Sequence, residues 1–349
     1  MNIPFRFKGS ASEYFKIWIV NLSLTLVTLG VYSAWAKVRR KRYFYAHTLL
    51  DEAPFAYHAE PLTILKGRAI AFALFLLYLL IDNYSPRLQL VFVIVFILLL
   101  PWIVVRAQRF NAVNSSYRRI RFAFQANYGE AFWVFIGLPF LIPFSLGLIY
   151  PYFVQRRARF YIERSAYGIT PLQFGAAPRA FYAVYFKVVS YFVAILIVVA
   201  AFDTVFPGSL EAIRLEAIGG HPFFLIAASA VSAIAYLLFY AYVETTVTNL
   251  IWNHVSLQAQ DKLNIEEQRL QCKLEAKHIA WLYVSNAVAI IASLGLLIPW
   301  AKIRMTRYRV ECLSLSSSGG LDHFVAGMSD QARATGEEIG EIFDLDIGL

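Results

Sequence analysis

Apolar residues in this chain come in long charge-free runs separated by short basic stretches. Seven runs stand out: Ile17–Ala36, Ala69–Ile81, Leu88–Val105, Ala131–Gln155, Val188–Phe202, Pro222–Val243 and Ile279–Ala301. A helix crosses a bilayer with about 20 such residues. The second and fifth runs are short. Arg68 and Lys187 can lengthen them by burying their stems and keeping their charges at the interface. Between the runs the period changes to two. Phe55 and Tyr57 follow the turn-rich Asp51-Glu52-Ala53-Pro54, and Ile120, Phe122 and Phe124 alternate with Arg119, Arg121 and Ala123. Leu172 and Phe174 flank Gln173, and Leu270, Cys272 and Leu274 alternate with Gln271, Lys273 and Glu275. Alternation bounded by turn residues is a strand signature. Because a lone hairpin is marginal in water, these strands are expected to meet one another. The predicted fold is an all-α polytopic membrane bundle with internal repeats, carrying a small cytoplasmic β layer built from the inter-helix hairpins.

Charge sets the expected topology. Residues 37–68 carry seven Lys/Arg against three acids, 106–130 five against one, and 155–187 six against one. The stretches 82–87 and 203–221 are neutral or acidic. Short basic loops stay inside, so runs two and three, and five and six, read as hairpins with outward tips. Run four then has a basic loop on both sides. Either it enters and returns on one side, helped by Pro139, Pro143 and Gly147, or seven single crossings leave one basic loop outside. Runs one and seven share its pattern: Thr28-Leu29-Gly30, Ser145-Leu146-Gly147 and Ser293-Leu294-Gly295.

A repeat lies at the inner ends of the runs. Trp35, Arg39, Arg42 and Tyr43 are spaced like Trp102, Arg106, Arg109 and Phe110, like Tyr152, Arg156, Arg159 and Phe160, and like Trp300, Arg304, Arg307 and Tyr308. A degenerate fifth copy reads Tyr240, Glu244, Val247, Thr248. Spacings of three and four put the aromatic and both arginines on one helical face. At an inner membrane interface that face meets anionic headgroups. Plain topology anchors are the other account of these residues, although any scattered Lys or Arg would serve that purpose. Glu244 replaces the first arginine, and an ion pair with a neighbouring copy is its expected role.

Composition agrees with the runs. Hydrophobic residues make up 59% of the 349 and charged residues 16%, with mean hydropathy +0.54. Soluble domains are near 45–50% and 25%. Disorder of the body is excluded, and a soluble nucleic-acid binder is disfavoured despite the net charge of +9. Cys272 and Cys312 match no metal or redox spacing. No cleaved signal peptide is expected, since no small-residue cleavage site precedes the end of the first run. Residues 1–313 read as the transmembrane domain. Residues 314–349 read as a flexible tail, opening with a linker at Ser314–Gly320 and carrying seven acids against Arg333. Its Glu337–Asp346 segment has the charge to dock on the basic face.

The Thr28–Arg40 segment, Tyr14–Leu22, Asn249-Leu250-Ile251-Trp252-Asn253-His254 and Leu296–Met305 resemble the YjgN family of bacterial inner-membrane proteins. The resemblance implies a multi-pass inner (plasma) membrane location and no particular activity. The expected partners are anionic membrane phospholipids or an acidic partner, bound through Trp35, Arg39, Arg42, Trp102, Arg106, Arg109, Tyr152, Arg156, Arg159, Trp300, Arg304 and Arg307. No nucleic acid, metal or cofactor is expected. The six histidines show no metal-ligand spacing, and no phosphate loop or nucleophile elbow is present, so no catalytic residue is assigned. A second reading makes the chain a transporter or channel with broken helices at Gly30, Gly147 and Gly295. Its polar path would run along Asn21, Thr28, Glu244, Asn253, His254 and Asn286, as ionisable or amide groups in apolar helices suggest.

Overall fold

The computed structural model describes residues 2–82, 85–206, 208, 211, 222–260 and 265–317. Among them are ten strands: β1 (Asn2–Phe7), β2 (Thr48–Leu50), β3 (Ala53–Tyr57), β4 (Ser115–Tyr117), β5 (Ile120–Phe124), β6 (Ser165–Tyr167), β7 (Thr170–Phe174), β8 (Val255–Gln260), β9 (Ile265–Cys272) and β10 (Leu313–Ser317). Each strand pairs antiparallel with its neighbours in sequence, and β1 pairs with β10, so the sheet closes into a barrel. The helices are α1 (Ala11–Val27), α2 (Ser33–His47), α3 (Pro61–Asp82), α4 (Pro86–Val113) and α5 (Tyr128–Phe132). A π-helical turn at Trp133–Gly137 carries α5 into α6 (Leu138–Phe144). Then come α7 (Tyr150–Glu163), α8 (Pro178–Val205), α9 (Pro222–Trp252), α10 (Ala276–Ala292) and α11 (Ile298–Glu311).

The chain is five copies of strand, helical pair, strand. Register makes the repeat geometric. Phe7 lies opposite Thr48, Tyr57 opposite Ser115, Phe124 opposite Ser165, Phe174 opposite Val255 and Cys272 opposite Leu313. In each pair the last residue of the outgoing strand faces the first residue of the returning one. Every helical excursion therefore begins and ends on one rim of the barrel. Runs one, four and seven accordingly turn back on themselves as short hairpins, α1–α2, α5–α7 and α10–α11. Runs two and three form the long pair α3–α4, and runs five and six form α8–α9. The second helix of each unit packs on the first helix of the next, and α11 packs on α1, so the helices also close into a ring. Among the described residues four helices are long and apolar enough to cross a membrane, within residues 61–81, 86–113, 178–202 and 232–252.

The expected all-α bundle with a small β layer is thus corrected: the β structure is a closed ten-stranded barrel on which the helices are mounted. An open layer would leave unpaired edges, and here β1 and β10 satisfy one another. The residues expected as strands lie within or next to β3, β5, β7 and β9. Ser314–Ser317, read as linker, belongs to β10, where Ser314, Leu315 and Ser316 pair with Pro4, Ile3 and Asn2. The acidic segment beyond it lies outside the described residues. Inside the barrel, Ile3, Leu50, Tyr117, Ile120, Tyr167 and Leu315 form one buried cluster with Phe5, Phe55, Phe122, Leu257 and Leu270 packed around it. The Tyr117 hydroxyl donates to the Leu50 carbonyl at 2.7 Å, and the Tyr167 hydroxyl donates to the Tyr117 carbonyl at 3.1 Å. Burial raises the Tyr167 phenol well above its usual range, so its hydroxyl stays a donor. The barrel has a packed aromatic core.

Candidate functional site

The repeated helix ends sit where the excursions rejoin the barrel, and their residues divide by role. The aromatic that closes the motif points inward. In unit one the Tyr43 hydroxyl accepts the Ser10 N–H at 2.9 Å, and in unit five the Tyr308 hydroxyl accepts the Glu275 N–H at 2.9 Å. Ser10 and Glu275 are equivalent, each three residues past its strand, so the tyrosine ties down the start of its own unit's first helix. Phe160 and Phe110 occupy the corresponding places by packing alone.

The second arginine reaches into the next unit. Arg42 donates to the Ala59 carbonyl at 3.1 Å, and Arg307 donates to the Gly9 carbonyl at 2.9 Å. Gly9 and Ala59 are again equivalent, two residues past β1 and β3. The same carbonyl is clamped at two further junctions by other side chains. The Gln155 amide donates to Ala176 at 3.1 Å, and the Asn249 amide donates to Leu274 at 2.8 Å. Arg159 instead bonds Glu163 at 3.0 Å, one turn along its own helix. The second arginines in units one and five therefore join neighbouring units, a role that Arg-x2-Arg spacing alone does not reveal.

In two copies the first arginine lies against the aromatic of its own helix. The Arg106 guanidinium lies 5.6 Å from the Trp102 ring centre and Arg304 lies 5.2 Å from that of Trp300. Arg304 also donates to Ser285 Oγ at 2.6 Å and to Asn286 Oδ1 at 3.3 Å. Arg39 and Arg106 are exposed. The buried Arg156 Nε has no hydrogen-bond partner among the described residues. Among the described residues no carboxylate forms an ion pair with Arg39, Arg106, Arg156 or Arg304. In the degenerate copy Glu244 pairs with Arg309 of unit five and accepts from the Tyr283 hydroxyl, which is the neighbour contact expected of it.

The polar-path residues belong to units one, four and five. Asn253 is exposed and pairs with the backbone of Cys272: its Oδ1 accepts the N–H at 2.6 Å and its Nδ2 donates to the carbonyl at 3.1 Å. His254 Nδ1 lies 2.8 Å from the Leu250 carbonyl oxygen. Asn286 donates to Ala301 at 3.4 Å and is tied to Arg304. Asn21 is buried, with its Oδ1 unpaired.

Thr28, Gly30, Gly147 and Gly295 belong to hairpin tips, and no atom outside the chain neighbours lies within 4 Å of a Cβ built on Gly30 or Gly147. Each tip is the same backbone motif. The Gly30 N–H bonds Thr25 O at 2.8 Å and the Leu29 N–H bonds Leu26 O at 3.1 Å, a Schellman pair; Gly147 with Leu146, and Gly295 with Leu294, repeat it. The hydroxyls of Thr28, Ser145 and Ser293 then accept the N–H four residues on, opening the next helix. Backbone groups at the tips are thereby satisfied within the chain, as a hydrocarbon environment demands. Leu29, Leu146 and Leu294 stand 93–95% exposed there.

Sequence comparison joins this architecture to a family. The family model described as "Bacterial protein of unknown function (DUF898)" matches residues 2–342. The chain belongs to this family. Within 144 residues, 41% of the chain, it is 31% identical to the inner membrane protein YjgN of Salmonella typhimurium strain LT2, covering 36% of that relative. It is also 28% identical over 154 residues to YjgN of Escherichia coli O157:H7, covering 43% of this chain and 39% of the relative. The match thus spans under two fifths of the length of each of these curated relatives. No solved structure matches.

Proposed function

We propose that the chain is a multi-pass protein of the bacterial inner membrane, without enzymatic activity, that engages anionic phospholipid headgroups through the basic ends of its helices. The barrel lies on the cytoplasmic side in this reading, with the long pairs α3–α4 and α8–α9 crossing and the short hairpins dipping part-way. Ile17 to Val27 is about 17 Å of helix, roughly half of a ~30 Å hydrocarbon core. The carrying observation is the position of the first arginines. Arg106 and Arg304 stack on Trp102 and Trp300 with no carboxylate partner among the described residues, one turn from the apolar limbs whose leucines, valines and phenylalanines are exposed. An aromatic with a guanidinium over it suits the headgroup boundary. The basic loops on the barrel side and the relatives' description as inner membrane proteins support the location.

The test is Arg39→Glu/Arg106→Glu, which spares the clamping arginines. The double variant is expected to fold with wild-type melting behaviour and to retain several-fold less co-purified phosphatidylglycerol. Unchanged lipid content in a folded variant would overturn the proposal.

A further inference from the structure

Five units that alternate between short and long hairpins cannot alternate all the way round a closed ring. Units five and one, both short, meet where the chain closes, with α11 packed on α1. This seam has its own sequence. Trp35-Ala36-Lys37 and Trp300-Ala301-Lys302 are the two motif copies with a lysine two residues past the aromatic. Lys302 Nζ lies 5.5 Å from the ring centre of Phe44, which brings it against α2. On α2, Lys41 donates to Asn111 Oδ1 at 2.6 Å and lies 4.6 Å from the Tyr57 ring centre. Arg68 of α3 bonds Ser33 Oγ at the start of α2.

These cations are crowded. Burial, and after it the neighbouring positive charges, lowers the amines of Lys37, Lys41 and Lys302 below their ordinary range: Arg68 and Arg40 act on Lys37, Lys37 and Arg40 on Lys41, and Arg40 on Lys302. No acid lies on α2, on α3 before Asp82, or on α11 before Glu311. Glu13, the acid of α1, is held by the Tyr43 hydroxyl at 3.2 Å and lies 3.8 Å from His47. Among the described residues none of Lys37, Arg40, Lys41, Arg68 and Lys302 forms an ion pair. Crowded like charges with no counter-charge among the described residues call for one from outside the cluster.

We infer that the seam between units five and one is a binding site for a multiply charged phosphoryl anion, held by Lys37, Arg40 and Lys302 and presented as a lipid headgroup or as free phosphate. The site rests on the membrane reading above and names the ligand chemistry of one sector of the same basic band. The experiment compares the full chain with Lys37→Gln/Arg40→Gln/Lys302→Gln, in nanodiscs of phosphatidylcholine alone and of phosphatidylcholine mixed with phosphatidylglycerol. Inorganic diphosphate is titrated into the neutral discs while the melting temperature is followed. A rise in the wild type that the variant loses, or reaches only at ~10-fold higher concentration, assigns a free phosphoryl anion. Stabilisation that appears only with phosphatidylglycerol, and is absent in the variant, assigns a headgroup. No stabilisation in either disc, or equal stabilisation of the variant, overturns the site. The variant is expected to melt at or above the wild type in neutral discs without anion, because it has shed mutual repulsion; melting well below would show that these charges are matched internally, and would also overturn it. Arg39→Glu/Arg106→Glu separates the two proposals, since it is expected to lose bulk lipid while keeping the seam response.

Discussion

Asn249, in the last turn of α9, and Asn253, just past its end, hold the end of β9 and the turn after it by side-chain amides. Asn249 takes both backbone groups of Leu274, accepting its N–H at 2.9 Å and donating to its carbonyl at 2.8 Å. Two orphaned groups on a buried residue cost about 2–3 kcal/mol, so Asn249→Ala is expected to lower the melting temperature in detergent by roughly 4–8 °C. A shift below one degree would remove the clamp from the account. Asn253 was legible as a candidate polar-path residue, and both asparagines as part of the family-like segment from Asn249 to His254. Their strand-holding role was not, because their partners Cys272 and Leu274 lie some twenty residues away. A second residue-scale expectation concerns Cys272, whose thiol burial pushes up to about 11. Its thiolate fraction at pH 8 is then on the order of one in a thousand. Iodoacetamide at that pH is expected to spare Cys272 in the folded protein and to modify it in SDS. Because the folded value lies above the unfolded one, the thiol's contribution to stability is complete below about pH 8.5 and is lost as pH rises toward the folded value. Rapid native labelling would contradict that environment.

At the scale of elements, the hairpin tips show sequence and geometry in close agreement. Thr28-Leu29-Gly30 and its two echoes were visible as a pattern, and each has the same backbone: φ near 50° at Leu29, Leu146 and Leu294, then 93°, 83° and 91° at the glycines. Glycine is needed at the second position, where an L side chain is strained although space is open. Gly30→Ala is expected to cost about 1–2 kcal/mol, read as a lower melting temperature. Leu29→Gly is expected to move the other way by about 1 kcal/mol in detergent, because leucine at a left-handed position is retained for its exposed apolar side chain rather than for the fold. If both substitutions destabilise equally, the tip leucine packs within the protein. The strands were less legible. Phe55 with Tyr57 and Ile120 with Phe124 carry enough alternation to be seen, whereas Ser115-Ser116-Tyr117 and Ser165-Ala166-Tyr167 are three residues long and half polar. They are strands because β3 and β5 lie ready to pair with them. Similarly, the pairing of β1 with β10 joins segments about 310 residues apart, for which a local pattern holds no signal.

For the whole molecule, the basic-loop conflict around run four dissolves once every excursion leaves and re-enters on one rim. The five copies of the motif are the five second helices, so the repeat read along the chain is a rotational repeat in space. That geometry makes a topological prediction. The turn at Ile169, between β6 and β7, lies at the opposite end of the barrel from the helices, while Ser85 and Phe206 lie at the far ends of the long pairs. On a background of Cys272→Ala/Cys312→Ala, single cysteines at these positions can be probed with a membrane-impermeant maleimide. Ser85→Cys and Phe206→Cys are expected to react in intact spheroplasts, and Ile169→Cys only after lysis. Leu146→Cys, at a short-hairpin tip, is expected to react poorly from either side, because a half-depth hairpin ends in hydrocarbon. Labelling of Ile169→Cys from outside would invert the orientation. Efficient labelling of Leu146→Cys from the side opposite to Ile169→Cys would mean that the short hairpins cross fully. The Trp35 and Trp300 helix ends would then sit at a different depth from the headgroups, and both the lipid reading and the seam site would lose the boundary on which they depend.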